Sequence, residues 1–184
     1  MLRPISPVLI ALVLTGLCAG CSTVSSPSLS STYIHSRDGG FQYRIPAGWY
    51  DASADSQSTG HAVWLLRDDY GATIAVNDMH LDPEAHEILR EEGISGLATL
   101  SMTLAAAGNA YAVDRPPEVS RVNGKPSCAY QLVTSPGNDL LRVVLVDAGS
   151  KVYMVTALAP GGSHNGARED VFAVEEAFLN TLRW

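Results

Sequence analysis

Two near-continuous apolar runs dominate the C-terminal half of the chain. They are Leu140–Val146 (LLRVVLV) and Val152–Ala159 (VYMVTALA), with Asp147-Ala148-Gly149-Ser150 between them. Apolar runs of this length bounded by turn residues read as strands. With an apolar side chain at nearly every position, both faces of each strand must be shielded from water. The pair therefore belongs at the centre of a sheet covered on both sides, and the other segments have to supply the covering.

Several segments have the pattern to do so. Phe41–Ile45 alternates apolar and polar residues as a half-buried strand does and runs into a turn at Pro46-Ala47-Gly48-Trp49. Asp51–Gly60 is polar and reads as a loop. His61–Arg67 and Ala72–Asn77 read as strands joined through Asp68-Asp69-Tyr70-Gly71. Val119–Thr134 reads as a hairpin about Asn123-Gly124, the pair favoured in two-residue type I′ turns. Asp82-Pro83-Glu84 offers a capping acid, a first-turn proline and a first-turn acid, so a helix starts there. Its apolar face begins at Ala85, Ile88 and Leu89 and resumes at Ile94, Leu97 and Ala98. Gly93 and Gly96 divide it, and Gly108-Asn109 ends it. Ala167–Trp184 carries Val171, Val174, Phe178 and Leu182 on one helical face. The sum is six or seven strands and two helical regions. Hairpin connections predominate, so the class is α+β with a largely antiparallel sheet.

The first thirty residues belong to targeting rather than to the fold. Met1-Leu2-Arg3 is a short basic start, and Val8–Leu17 (VLIALVLTGL) is apolar over ten residues. That is too short for a membrane span and the right length for a signal-peptide core. Ala19-Gly20-Cys21 follows and resembles the end of a bacterial lipoprotein signal, whose cysteine is lipidated and becomes the new N-terminus. Cys18 stands where that pattern usually has Leu, and an ordinary secretory signal cut nearby is the alternative reading. On the lipoprotein reading, 1–20 is the signal peptide, and diacylglyceryl and palmitate chains on Cys21 are the only added group, with no other cofactor. Residues 21–32, Ser/Thr-rich, form a tether, and 33–184 is one globular domain. Ser22 in place of Asp after the cysteine favours the periplasmic face of the outer membrane in a Gram-negative host. Cys128 is then the one cysteine left, so no intramolecular disulfide is expected.

Three stretches resemble PsbP-like domains. Gly39–Trp49 (GGFQYRIPAGW) is similar to their aromatic-rich opening that ends in Pro-x-Gly-Trp. Val122–Gln131 (VNGKPSCAYQ) is similar to their central hairpin, and Ala177–Trp184 (AFLNTLRW) to their closing helix. The resemblance implies an α/β/α sandwich around an antiparallel sheet. It also implies an accessory or binding role, as in bacterial lipoproteins of the DcrB and LpqN types, and it brings no catalytic residue with it.

The residues offer few chemical alternatives. The net charge of -7, without any cluster of Lys and Arg, excludes a general nucleic-acid binder. Asp78, His80, Asp82 and His86 are the candidate ligands for a divalent ion. The same acids are also what a helix N-terminus favours. His86-Glu87-Ile88-Leu89-Arg90 lacks the second histidine of a zinc-protease helix. Ser95 lacks the glycine and strand of a nucleophile elbow. Cys128 has no neighbouring base in sequence and reads as a packed thiol. Gly161–Gly166 lacks the lysine of a phosphate-binding loop. Trp49 and Tyr50, if exposed at a strand end, are candidate partner contacts; otherwise they are core. The expected protein is thus a non-catalytic, lipid-anchored accessory protein of the bacterial cell envelope. It would be membrane-attached and bind an envelope protein or a lipidic ligand. The alternatives are a metal-dependent envelope hydrolase using the Asp78–His86 region and a structural assembly subunit.

Overall fold

The computed structural model describes residues 27–55, 60–161 and 165–184. Cys21 and Gly162-Ser163-His164 lie outside these. In chain order the strands are β1 (Ile34–His35), β2 (Gln42–Tyr43), β3 (Trp49–Asp51), β4 (Val63–Arg67) and β5 (Thr73–Asp78). Then come helix α1 (Pro83–Ala107), β6 (Tyr111–Val122), β7 (Lys125–Thr134), β8 (Leu140–Asp147), β9 (Val152–Ala159) and helix α2 (Asn165–Leu179). Seven strands form one sheet in the order β3-β4-β5-β9-β8-β7-β6, and every neighbouring pair is antiparallel. β9 is the middle strand and β8 lies beside it, as their continuous apolar sequences require.

Alternation along β8 divides the core in two. Val143 and Leu145 join Cys128, Tyr130 and Leu132 in a cluster closed by Ile94 and Leu97 of α1. Val144 and Val146 join Val155 and Tyr153 in a cluster closed by Val171 and Phe178 of α2. The result is a three-layer α/β/α arrangement. Asp82 caps α1 by accepting the Ala85 N–H at 2.8 Å. Gly93, at φ 69 and ψ -164, breaks α1 into two pieces in a conformation that a side chain would oppose.

The structure departs from the sequence reading at five places. Phe41–Ile45 does not join the main sheet. Only Gln42–Tyr43 is extended, paired with β1 in a separate two-stranded sheet, because Phe41 and Tyr43 both turn into the α2-side core. Trp49 does not close a turn but opens β3, with Tyr50 and Asp51 following. β6 begins at Tyr111, not Val119. As an edge strand it tolerates Pro116-Pro117, around which its register with β7 shifts. Finally, α2 stops at Leu179, and residues 180–184 turn back so that Gln42 and Arg183 exchange backbone hydrogen bonds of 2.8 and 2.9 Å. Residues 28–30, placed by composition in the tether, are bonded to the domain as well. The Ser30 N–H donates to Ile45 O, and the Ala47 N–H donates to Ser28 O.

One core residue is unlike the rest. Glu175 of α2 is completely buried, and neither carboxyl oxygen has a hydrogen-bond partner among the described residues. Arg142 of β8 approaches only to 3.6 Å. Burial, only partly opposed by Arg142, pushes its pKa up to about 8, so the folded protein holds it protonated at neutral pH. A carboxyl raised in this way contributes stability that is complete below its ordinary value of 4.5 and is lost as the pH climbs to about 8. Glu175→Gln has no such group. Thermal melts should give it a higher Tm than the parent at pH 9, with the gap closing toward pH 5. A pH-independent gap would show that the carboxyl does not titrate as its surroundings require.

Candidate functional site

In an antiparallel sheet, alternate hairpins close at the same end. The β6–β7 turn (Asn123-Gly124) and the β8–β9 turn (Asp147–Ser150) are alternate hairpins. The end of β5 at Asp78, the segment 36–40 and the C-terminal residues 180–184 meet them there. Together, apart from Asp78, they enclose a cleft of about 620 Å³, within the range of small-molecule sites. A second cavity of about 260 Å³ adjoins it and shares Ser150 and Lys151.

The wall between the two is a charged network. Lys151 Nζ lies 2.9 Å from Asp38 Oδ2 on one side and 2.7 Å from Asp78 Oδ2 on the other. Asp38 also accepts from Tyr153 OH (2.8 Å), Ser36 Oγ (2.7 Å) and the Gly40 N–H (3.1 Å). The 36–40 segment can come this close because residue 40 is glycine: a Cβ there would stand 1.9 Å from Tyr153 OH. Burial alone would raise the Asp38 pKa, but its hydrogen-bond donors outweigh that and hold it down to about 2. The Asp78 and Asp38 carboxylates hold Lys151 well above the usual lysine value. Burial, then the bond to Asp38, pushes the Tyr153 phenol up. Lys151 is therefore firmly cationic, Asp38 firmly anionic and Tyr153 firmly protonated across the physiological range.

The opposite wall is built by a helix end. Asn123 donates its side-chain amide to Leu179 O (3.2 Å), the last carbonyl of α2, and to Leu182 O (2.7 Å) in the segment after it. These bonds set the hairpin turn against the C-terminal segment, and Lys125 and Arg183 both line the cleft. Lys125 Nζ donates to Ala148 O at 3.0 Å. The Arg183 guanidinium lies 3.6 Å from the centre of the Tyr33 ring. The indole of Trp184 stacks on Tyr153 with centroids 5.3 Å apart.

Three of the four candidate metal ligands are engaged elsewhere. Asp78 is paired with Lys151, Asp82 caps α1, and His86 Nδ1 bonds the Asp82 carbonyl at 2.9 Å. Asp78, His80 and His86 line that cavity. Among the described residues no three His, Cys, Asp or Glu side chains are grouped to hold a metal ion. Of the two candidate partner contacts, Trp49 is only 7% exposed and belongs to the core, because its pairing opposite Arg67 turns the indole inward. Tyr50 is half-buried and packs edge-on against Tyr70, which is 75% exposed. Cys128 is fully buried; burial, with Glu118 nearby, raises its pKa, so it is no ready nucleophile. The cleft residues Asp38, Lys125, Lys151, Tyr153 and Arg183 were not evident from motifs. One signal did exist: the chain has two lysines, and each follows a turn that closes at the same end of the sheet.

A carboxylate held down by its partners contributes stability above its ordinary value of 3.8 and loses it as the pH falls toward 2. Asp38→Asn should therefore lower stability at pH 7 by about 1 kcal/mol, the partly solvated network screening the rest. In denaturant titrations the difference should shrink below pH 4. A loss that persists unchanged at pH 2.5 would refute the role of its charge.

No protein-family model and no curated protein matches this chain. Solved structures do resemble it. The Ran-binding protein Mog1p of Saccharomyces cerevisiae superposes with a TM-score of 0.58 at 9% identity, covering 85% of this chain and 96% of that one. A point mutant of Mog1 gives 0.57 at 8% identity, over 83% and 94%. The solution structure of the cyanobacterial PsbP of Synechocystis gives 0.50 at 12% identity, over 89% and 96%. The fold is thus PsbP/Mog1-like: a seven-stranded antiparallel sheet between two helices.

Proposed function

We propose that this chain is a non-catalytic binding protein of the bacterial cell envelope, held at a membrane by lipid on Cys21, with the sheet-end cleft as its ligand site. The observation that carries the binding reading is the protonation state of the cleft. General acid–base chemistry needs a group that exchanges its proton near the working pH. Here the shifted groups, Asp38, Lys151 and Tyr153, all move away from neutrality. A cleft whose charges are fixed in this way suits recognition. The accessory or binding role implied by the PsbP-like resemblance supports the same reading, and Mog1p, of the same fold, is a Ran-binding protein.

The anchoring half rests on the sequence. The ten-residue apolar core before Ala19-Gly20-Cys21 delivers the chain to the envelope, and acyl chains on Cys21 hold it there at about 0.8 kcal/mol per buried CH₂. Among the described residues no helix is long and apolar enough to cross a membrane. Tethering a binding domain to a surface raises its concentration near membrane-associated partners. The proposed location is the periplasmic face of the outer membrane in a Gram-negative host.

Cys21→Ser tests the anchor. In fractionated cells the parent chain should sediment with membranes and carry diacylglyceryl and palmitoyl mass, whereas the variant should move to the soluble fraction. An unmodified parent chain in the soluble fraction would overturn the lipoprotein reading.

A further inference from the structure

We infer that the sheet-end cleft binds a small phosphate monoester, with Lys125 and Arg183 receiving the phosphate. This deepens the binding reading above and rests on it. The chain is acidic overall, at net charge -7, yet both of its lysines line this one cleft, with Arg183 beside them. The three cations differ in what already satisfies them. Lys151 is fully engaged by two carboxylates, Asp38 and Asp78. Lys125 and Arg183 have no carboxylate partner among the described residues. Lys125 uses one of its three hydrogens, on Ala148 O, and the Arg183 guanidinium rests on the Tyr33 ring, its donors without a side-chain hydrogen bond among the described residues.

The one side-chain carboxylate in the cleft lining among the described residues, Asp38, and three backbone carbonyls around the cleft are committed. Asp38 already takes four donors. The carbonyls of Leu179 and Leu182 take the Asn123 amide, and that of Ala148 takes Lys125. The cleft therefore offers surplus donors and two uncompensated cations, which matches a dianion rich in acceptor oxygens. A phosphate monoester carries about -1.5 to -2 charge and three strong acceptor oxygens. A planar guanidinium beside a flexible ammonium is a usual pair for such a group. The positions are set by the fold: the Asn123–Leu182 bond joins the turn before Lys125 to the segment that carries Arg183, and both residues line the cleft. The cleft, at about 620 Å³, has room for the alcohol portion of the ester against Tyr33 and Trp184.

The monoester can be free or carried by a lipid, and the test separates these. Full-length protein in detergent is titrated with glycerol 1-phosphate, and binding is read by calorimetry and by tryptophan fluorescence. The parent should saturate. Lys125→Gln and Arg183→Gln should each weaken binding about tenfold. Lys125→Arg should restore most of the loss, which a merely structural role would not. The Cys21→Ser chain is then spun with vesicles of phosphatidylcholine alone or with phosphatidic acid. Sedimentation with phosphatidic acid alone supports a lipid-borne monoester; glycerol 1-phosphate binding without sedimentation supports a soluble one. No saturation, unchanged affinity when Lys125→Gln and Arg183→Gln are combined in one chain, or equal affinity for succinate would overturn the inference and leave the binding reading standing. Release of inorganic phosphate in the same samples would support the ligand class and overturn the non-catalytic reading.

Discussion

Val143 and Val144 are neighbours in one strand, point to opposite sides of the sheet, and are both shut off from water. That double burial is the constraint on which everything else rests. A strand apolar on both faces must have a layer above and below, so α1 has to cross one side and α2 the other. Both crossings run between the two ends of the sheet. The faces are consumed by packing, and polar chemistry can gather only at the ends, where turns and helix termini leave backbone groups to be satisfied.

The two ends are not alike. At one of them the alternate hairpin turns, the end of β5 and the end of α2 all converge, and their open donors and acceptors are joined in a connected set. Asn123 satisfies α2, Lys125 satisfies the neighbouring turn, and Lys151 ties two carboxylates that would otherwise repel. The same bonds that complete the helix also shape the cleft. Structure and recognition thus share residues here, and the Asp38 network stiffens the wall that a ligand would meet. The interior behind it shows the opposite case: Glu175 is buried with no hydrogen-bond partner among the described residues, and its carboxyl stays neutral rather than charged.

Much of this was legible in the residues. Continuous apolarity marked β8 and β9 as central. Asp82-Pro83 marked the start of α1, Gly93 its break, and Asn123-Gly124 a hairpin whose φ angles of 49° and 81° fit the type I′ turn. The misreadings have a common cause. Phe41–Ile45 alternates correctly for a strand, but alternation reports that one face is buried and not which sheet the segment joins. The hairpin read from Val119 starts at Tyr111, because an edge position with shifted register accepts Pro116-Pro117. Trp49 looked like a turn residue until its pairing with Arg67 placed the ring in the core.

The sequence by itself determined the local periods, the caps, the turn chemistry and the charge balance, because each is set by residues within a few positions of one another. It also carries the signal-like segment that ends at Cys21. Only the tertiary structure decided that Asp38, Lys125, Lys151, Tyr153 and Arg183 share one cleft, since these residues lie up to 145 positions apart. Their meeting depends on strand order and on which end each connection closes. Those follow from covering one central pair of strands on both faces, not from any short motif.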